Sequence, residues 1–131
     1  MKGLDTNTLA RYLRDDDIVQ SAKAARLMQR AINENQPLFI NHVVLCELTW
    51  ILTSVYVHTK NDLIEMIEKV LAAEYLELED RNTVQSALED YKSSKADFAD
   101  CLIGRNNLKA CCEFTLTFDR RLRPLQSFRV H

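Results

Sequence analysis

With 131 residues, 47% of them hydrophobic and 27% charged, the chain has the size and composition of one compact soluble domain that buries roughly two-thirds of its unfolded surface. Only two glycines and two prolines are present, against averages of about 7% and 5%, which excludes collagen-like and linker-rich chains and the glycine-dependent phosphate loops of nucleotide-binding folds. The net charge of −2 excludes an overall basic field, yet residues 61–99 hold ten acids against four bases and residues 100–131 hold six bases against three acids.

Met1-Lys2-Gly3-Leu4 reaches a charge at Asp5 with no apolar leader, and four cysteines without a CxxC pair suit reduced thiols, so a cytoplasmic location is expected. Met1–Leu4 reads as a short buried strand, ended by Asp5-Thr6-Asn7-Thr8, a turn and helix-start signal. Asp15-Asp16-Asp17 suits the positive end of the helix that follows, Ile18–Ile32, where Ala22, Ala25, Leu27, Met28 and Ile32 supply the apolar positions. Pro37 breaks that helix, and Leu38–Ile40 is a candidate strand. Val43–Val57 is too long for one ordinary strand and reads as a largely buried helix; Glu47 and several hydroxyls within it exclude a membrane span.

Asn61 or Asp62 is expected to cap the next helix, with an apolar stripe of Leu63, Met66, Ile67, Val70 and Leu71 and a supporting Glu65–Lys69 pair. Leu76–Leu78 suggests a third short strand, with Glu77, Glu79 and Asp80 around it read as solvated charge. A helix from about Thr83 to Lys92 follows, and Ser94-x-x-Asp97 resembles a capping box for another that reaches Lys109. Cys111–Phe118 alternates with period two and is the clearest strand. Short strands separated by helices imply an α/β fold, a short parallel β-sheet flanked by helices on both faces, in a single domain over residues 1–131.

Several acids resist the reading of plain surface charge. Glu47 lies between Val43, Val44, Trp50 and Ile51, with no lysine or arginine at i±3 or i±4; it is either an exposed-edge glutamate or a carboxylate kept for a purpose, since burial without a partner costs several kcal/mol. Asp97 and Asp100 share one helical face; Asp97 can be explained as a capping residue, whereas Asp100 is followed by Cys101-Leu102-Ile103, which should pack inward. Asp5 and Asp119 each follow a candidate strand, where a simple Asx turn would also account for them. Ligands of open α/β sheets bind beyond the carboxyl ends of strands, and carboxylates gathered there repel by roughly 4 kcal/mol per pair until a cation offsets the charge. Oxygen-only donors favour Mg²⁺, with Mn²⁺ as a substitute, and metal-assisted phosphoryl transfer is the chemistry that follows. His42 and Cys46, at i, i+4, have a metal-compatible spacing but no clear second pair.

At these residues the sequence resembles the PIN-domain ribonucleases, and among them the VapC toxins of bacterial toxin–antitoxin pairs. Leu4-Asp5-Thr6-Asn7 is similar to the opening aspartate motif, Glu47-Leu48-Thr49-Trp50-Ile51-Leu52 to the glutamate helix, Ala96-Asp97-Phe98-Ala99-Asp100-Cys101-Leu102-Ile103 to the central aspartate helix, and Thr117-Phe118-Asp119-Arg120 to the last acidic motif. The resemblance implies that Asp5, Glu47 and Asp100 hold a catalytic Mg²⁺, that Asp119 completes the cluster, and that Asp97 is a further candidate ligand. It also implies a water-orienting role for Thr117 and loop support from Asn7. The implied activity is endonucleolytic hydrolysis of RNA, tRNA or another translation-related RNA, by activated water. The implied partners are a VapB-like antitoxin and a second copy of the chain, with no membrane. Charge placement adds Arg120, Arg121 and Arg123 as candidate phosphate contacts, the other reading being a solvated basic tail.

The competing reading is a catalytically inactive PIN-like module that binds RNA or protein. A phosphoacceptor receiver domain fits poorly, because no late strand ends in lysine.

Overall fold

Strands and helices alternate from the N-terminus onward in the computed structural model, which describes residues 1–14, 18–56 and 58–131. The triplet Asp15-Asp16-Asp17, read above as helix-start charge, and Val57, the expected end of the apolar helix, lie outside the described residues. The chain packs as two compact units, Met1–Glu79 and Asp80–His131. Together they are of the α/β class, with short parallel strands and, among the described residues, six α-helices. No described helix is long and apolar enough to cross a membrane.

The first unit runs β1 (Lys2–Gly3), α1 (Thr6–Arg14), α2 (Ile18–Asn33), β2 (Leu38–Ile40), α3 (His42–Ser54), α4 (Lys60–Ala72) and β3 (Leu76–Leu78). The strands form a parallel sheet in the order β1-β2-β3, with Lys2 opposite Leu38 and Leu38 opposite Leu76. Parallel neighbours need long crossovers, and here each crossover is a helix pair: α1 and α2, then α3 and α4. Leu9, Ile40, Leu45, Leu48, Leu52, Ile67, Val70 and Leu76 make the core, all but inaccessible to solvent. At roughly 25 cal/mol per Å² of apolar surface, each such side chain contributes about 1.5–3 kcal/mol.

Three sequence expectations change in this unit. The strand expected to be buried over Met1–Leu4 is Lys2–Gly3, and both of its residues are exposed. The buried face of α2 is Ser21, Ala24, Met28 and Ala31, while Ala22, Ala25, Leu27 and Ile32 are exposed; alanines on several sides of the helix left its rotation ambiguous, and the i, i+3, i+7, i+10 row of smaller residues packs closest. Thr59, rather than Asn61 or Asp62, caps α4: its hydroxyl accepts from Asp62 N and the Asp62 carboxylate accepts from Thr59 N, a complete capping box.

The second unit runs α5 (Arg81–Lys92), α6 (Phe98–Lys109), β4 (Thr115–Thr117), a 3₁₀ turn (Arg120–Leu122) and β5 (Phe128–Val130). Tyr91 of α5 meets Phe98 of α6 edge to face at 5.9 Å. β4 and β5 pair in parallel, Thr115 opposite Phe128. Gly104 of α6 is the close-approach residue, since a Cβ there would stand 2.4 Å from the Phe128 ring.

The expected strand Cys111–Phe118 contracts to Thr115–Thr117. Its first residues are used to end α6: Cys111 is left-handed at φ 71°, its N–H donates to Leu108 O, and Cys112 N donates to Asn107 O, the Schellman arrangement that satisfies terminal carbonyls. Cys101 and Leu102 pack inward as expected, but Ile103 is exposed. The proposed capping box at Ser94 does not form: Asp97 occupies the N-cap position of α6 and its side chain makes no capping bond.

Candidate functional site

In the first unit, Asp5 sits immediately beyond β1, where the chain turns into α1. Its Oδ1 accepts from Thr8 N at 2.9 Å, closing the first turn of the helix. Hydrogen bonds from the Thr8 side chain and backbone hold the Asp5 carboxyl below its ordinary pKa, so it is anionic at neutral pH. Thr6, buried beside it, donates its hydroxyl to Glu47 Oε1 at 3.2 Å. That bond ties the opening loop to α3 and brings the two acidic motifs of this unit together.

Glu47 lies on the exposed side of α3, between Val43 at 65% and Trp50 at 64% relative exposure. Glu47 is exposed rather than buried, because α3 turns Val44, Leu45, Leu48 and Leu52 inward and leaves the row Val43, Glu47, Trp50 facing out. Asn7 is exposed at the start of α1. His42 is committed elsewhere: its Nε2 lies 2.6 Å from Glu79 O, and its N–H donates to Glu79 Oε1 at 2.9 Å. Glu79 is therefore a ligand of the α3 N-terminus rather than idle surface charge.

In the second unit, three of the candidate acids influence one another. Asp97 precedes α6, Asp100 lies in its first turn, and Asp119 begins the 3₁₀ turn beyond β4. Partial burial raises the Asp100 pKa, the charges of Asp97 and Asp119 raise it further, and Arg121 acts in the opposite sense. Arg121 is the cation of this group. Its Nε lies 3.0 and 3.1 Å from the two Asp119 oxygens, its Nη2 lies 2.7 Å from Asp119 Oδ2, and its Nη1 lies 3.6 Å from Asp97 Oδ1. Those bonds lower the Asp119 pKa and raise that of Arg121. Thr117 Oγ1 accepts from Asp119 N at 3.0 Å, which fixes the turn. Arg120 and Arg123 are exposed.

Within each unit, among the described residues, no three His, Cys, Asp or Glu side chains stand close enough to enclose a metal ion. The donor chemistry nonetheless fits a hard divalent cation. The donors are carboxylate oxygens, and those of the second unit already draw a positive group to themselves. Sequence reasoning missed two contributors. Thr6 carries no mark of its bond to a residue 41 positions away, and the pairing of the candidate phosphate contact Arg121 with Asp119 is hinted at only by their spacing of two.

Comparison with known proteins places these residues in a wider context. The family model of the PIN domain matches residues 3–126, which include every acidic position above. A VapC ribonuclease of Aquifex aeolicus (strain VF5) is 25% identical over 126 residues, covering 95% of this chain and 92% of that protein.

Proposed function

Because the chain belongs to the PIN-domain family, we propose that it is a VapC-type ribonuclease toxin that hydrolyses RNA phosphodiester bonds. The observation that carries the reading is the family match over residues 3–126, and the likeness to a VapC ribonuclease over nearly the full length of both chains supports it. In hydrolysis the oxygen of water forms a new bond to phosphorus, the bond to one ribose oxygen breaks, water gives up a proton and the leaving oxygen takes one.

Asp5 and Glu47 of the first unit, and Asp97, Asp100 and Asp119 of the second, are the residues proposed to hold Mg²⁺ or Mn²⁺. When bound, the ion supplies positive charge that eases deprotonation of water and offsets the charge developing on phosphate. The chain's own residues do the positioning. Thr6 holds the Glu47 carboxylate by its Oε1. Thr8 orients Asp5. Thr117 accepts from Asp119 N and so sets the turn from which that carboxylate projects; orientation of the attacking water is its further proposed task. Arg120 and Arg123, exposed beside this turn, are the proposed phosphate contacts. A VapB-like antitoxin, a homodimeric state and a cytoplasmic setting complete the reading. Translation-related RNA, tRNA first, is the proposed substrate.

The test is cleavage of total tRNA by the purified protein with Mg²⁺, beside an Asp100→Asn variant. Discrete fragments are expected from the wild type and none from the variant or after EDTA. A loss of at least about 100-fold in rate is the expected scale for removing a charged group that contacts the reacting centre. Cleavage that survives in the variant would assign the activity to another site or another protein. No cleavage of tRNA or of other RNAs by antitoxin-free protein would favour the inactive binding module.

A further inference from the structure

We propose that Arg121 is a built-in counter-cation of the second unit's carboxylates, which a divalent ion must displace before it can reach Asp119. The inference rests on the metal-dependent reading above and adds to it a residue that sets the affinity of the metal.

The geometry is that of occupancy rather than of a distant charge. The Arg121 fork covers both oxygens of Asp119, with Nε 3.0 Å from Oδ1 and 3.1 Å from Oδ2, and Nη2 2.7 Å from Oδ2. The backbone N–H of the same residue donates to Asp119 Oδ1 at 2.9 Å. Asp119 therefore has four short contacts from one residue, and a cation approaching it meets no uncommitted oxygen. The other arm of the guanidinium extends to Asp97 Oδ1 at 3.6 Å, so one planar group pairs with two carboxylates. Such forks are the strongest form of exposed ion pair and are specific to arginine.

The arrangement is also local in the chain. Asp119 caps the 3₁₀ turn and Arg121 is its second residue, so little chain entropy is lost in making the pair and little is recovered by breaking it. Arg120 and Arg123 share the turn and are exposed. Without a divalent ion, Arg121 holds the acidic group together. When the ion binds, the guanidinium is released, still tethered within two residues of Asp119.

Binding of Mn²⁺ to the full chain, read from the paramagnetic resonance signal of the free ion, tests the proposal without reference to activity. The expected result is that Arg121→Ala binds Mn²⁺ about fivefold more tightly than the wild type, the scale of a well-formed exposed pair. Arg121→Lys, which keeps the charge but loses the fork, should fall between them, and Arg120→Ala should match the wild type. In the wild type, the Arg121 Nε–H resonance should move and exchange faster with solvent as Mg²⁺ is added. Affinity in Arg121→Ala equal to or weaker than wild type would overturn the proposal. So would an Arg120→Ala gain as large as that of Arg121→Ala, because the effect would then be diffuse charge. Failure of all the proteins to bind Mn²⁺ is a distinct result, which would overturn the metal reading and this inference with it.

Discussion

Asp80 shows how much one carboxylate can hold in place. It adopts a left-handed backbone, φ 46° and ψ 69°, a region that aspartate enters more readily than most residues. Its oxygens accept from Thr83 N at 3.3 Å and Thr83 Oγ1 at 2.7 Å, capping α5, and pair with Lys109 at the end of α6. The hydrogen bond from Lys109, followed by those from Thr83, lowers its pKa from 3.8 to about 2. Because the folded-state value lies below the unfolded one, this stabilisation is present above about pH 4 and is lost as pH falls toward 2. Asp80→Ala should cost about 1–2 kcal/mol through the lost cap and the strained backbone. Asp80→Asn should cost less, and its deficit against the wild type in urea melts should shrink between pH 4 and 2. A deficit that persisted at pH 2 would put the effect in the backbone rather than the charge. None of this is legible locally, because Lys109 stands 29 residues away; the sequence shows only an acid beside a strand.

The same lesson holds for elements, whose presence is easier to read than their bounds or faces. Leu38–Ile40 and Leu76–Leu78 are strands as expected, since Pro37 and the flanking polar residues bound them. The rotation of α2 is ambiguous because alanine is compatible with either face, and the sequence reading assigns no strand at β5. The α5–α6 pair is also set by a contact that no spacing reveals: Arg105 Nε and Nη2 lie 2.6 and 2.8 Å from the two oxygens of Asp90. The Asp90 side chain is only 12% exposed against 36% for Arg105, so truncating the arginine leaves a charge in a poorly solvated place. Arg105→Ala should destabilise the fold by about 2 kcal/mol, less than for a fully buried pair. Adding Asp90→Asn to that variant should recover part of the loss, since a neutral amide costs less to bury. If the double variant is no more stable than Arg105→Ala, packing rather than the stranded charge is the cause.

At the scale of the whole molecule, a count of charges overstates the field that RNA would meet. The family was legible because four acidic motifs kept their order across the chain, whereas the division into two packed units left no mark in composition. The basic tally of residues 100–131 suggests six cations facing solvent. Pairing removes most of them: Arg105 is held by Asp90, Lys109 by Asp80 and Arg121 by Asp119, while the Arg129 guanidinium lies 4.3 Å from the centre of the Phe114 ring. Among the described residues, that leaves Arg120 and Arg123 as the exposed cations of the segment without an ion-pair or ring partner. Single-stranded RNA binding loses affinity with salt at a logarithmic slope of about −0.7 per phosphate neutralised. Arg120→Ala and Arg123→Ala should therefore each make the slope shallower by about 0.7. Arg121→Ala, measured in EDTA, should leave it unchanged, because its guanidinium is committed to Asp119 until a divalent ion frees it. Titrations in EDTA with a fluorescent tRNA, from low to moderate salt, would measure all three. A shallower slope for Arg121→Ala without metal would mean that RNA, and not only a cation, can pull the guanidinium from its carboxylates.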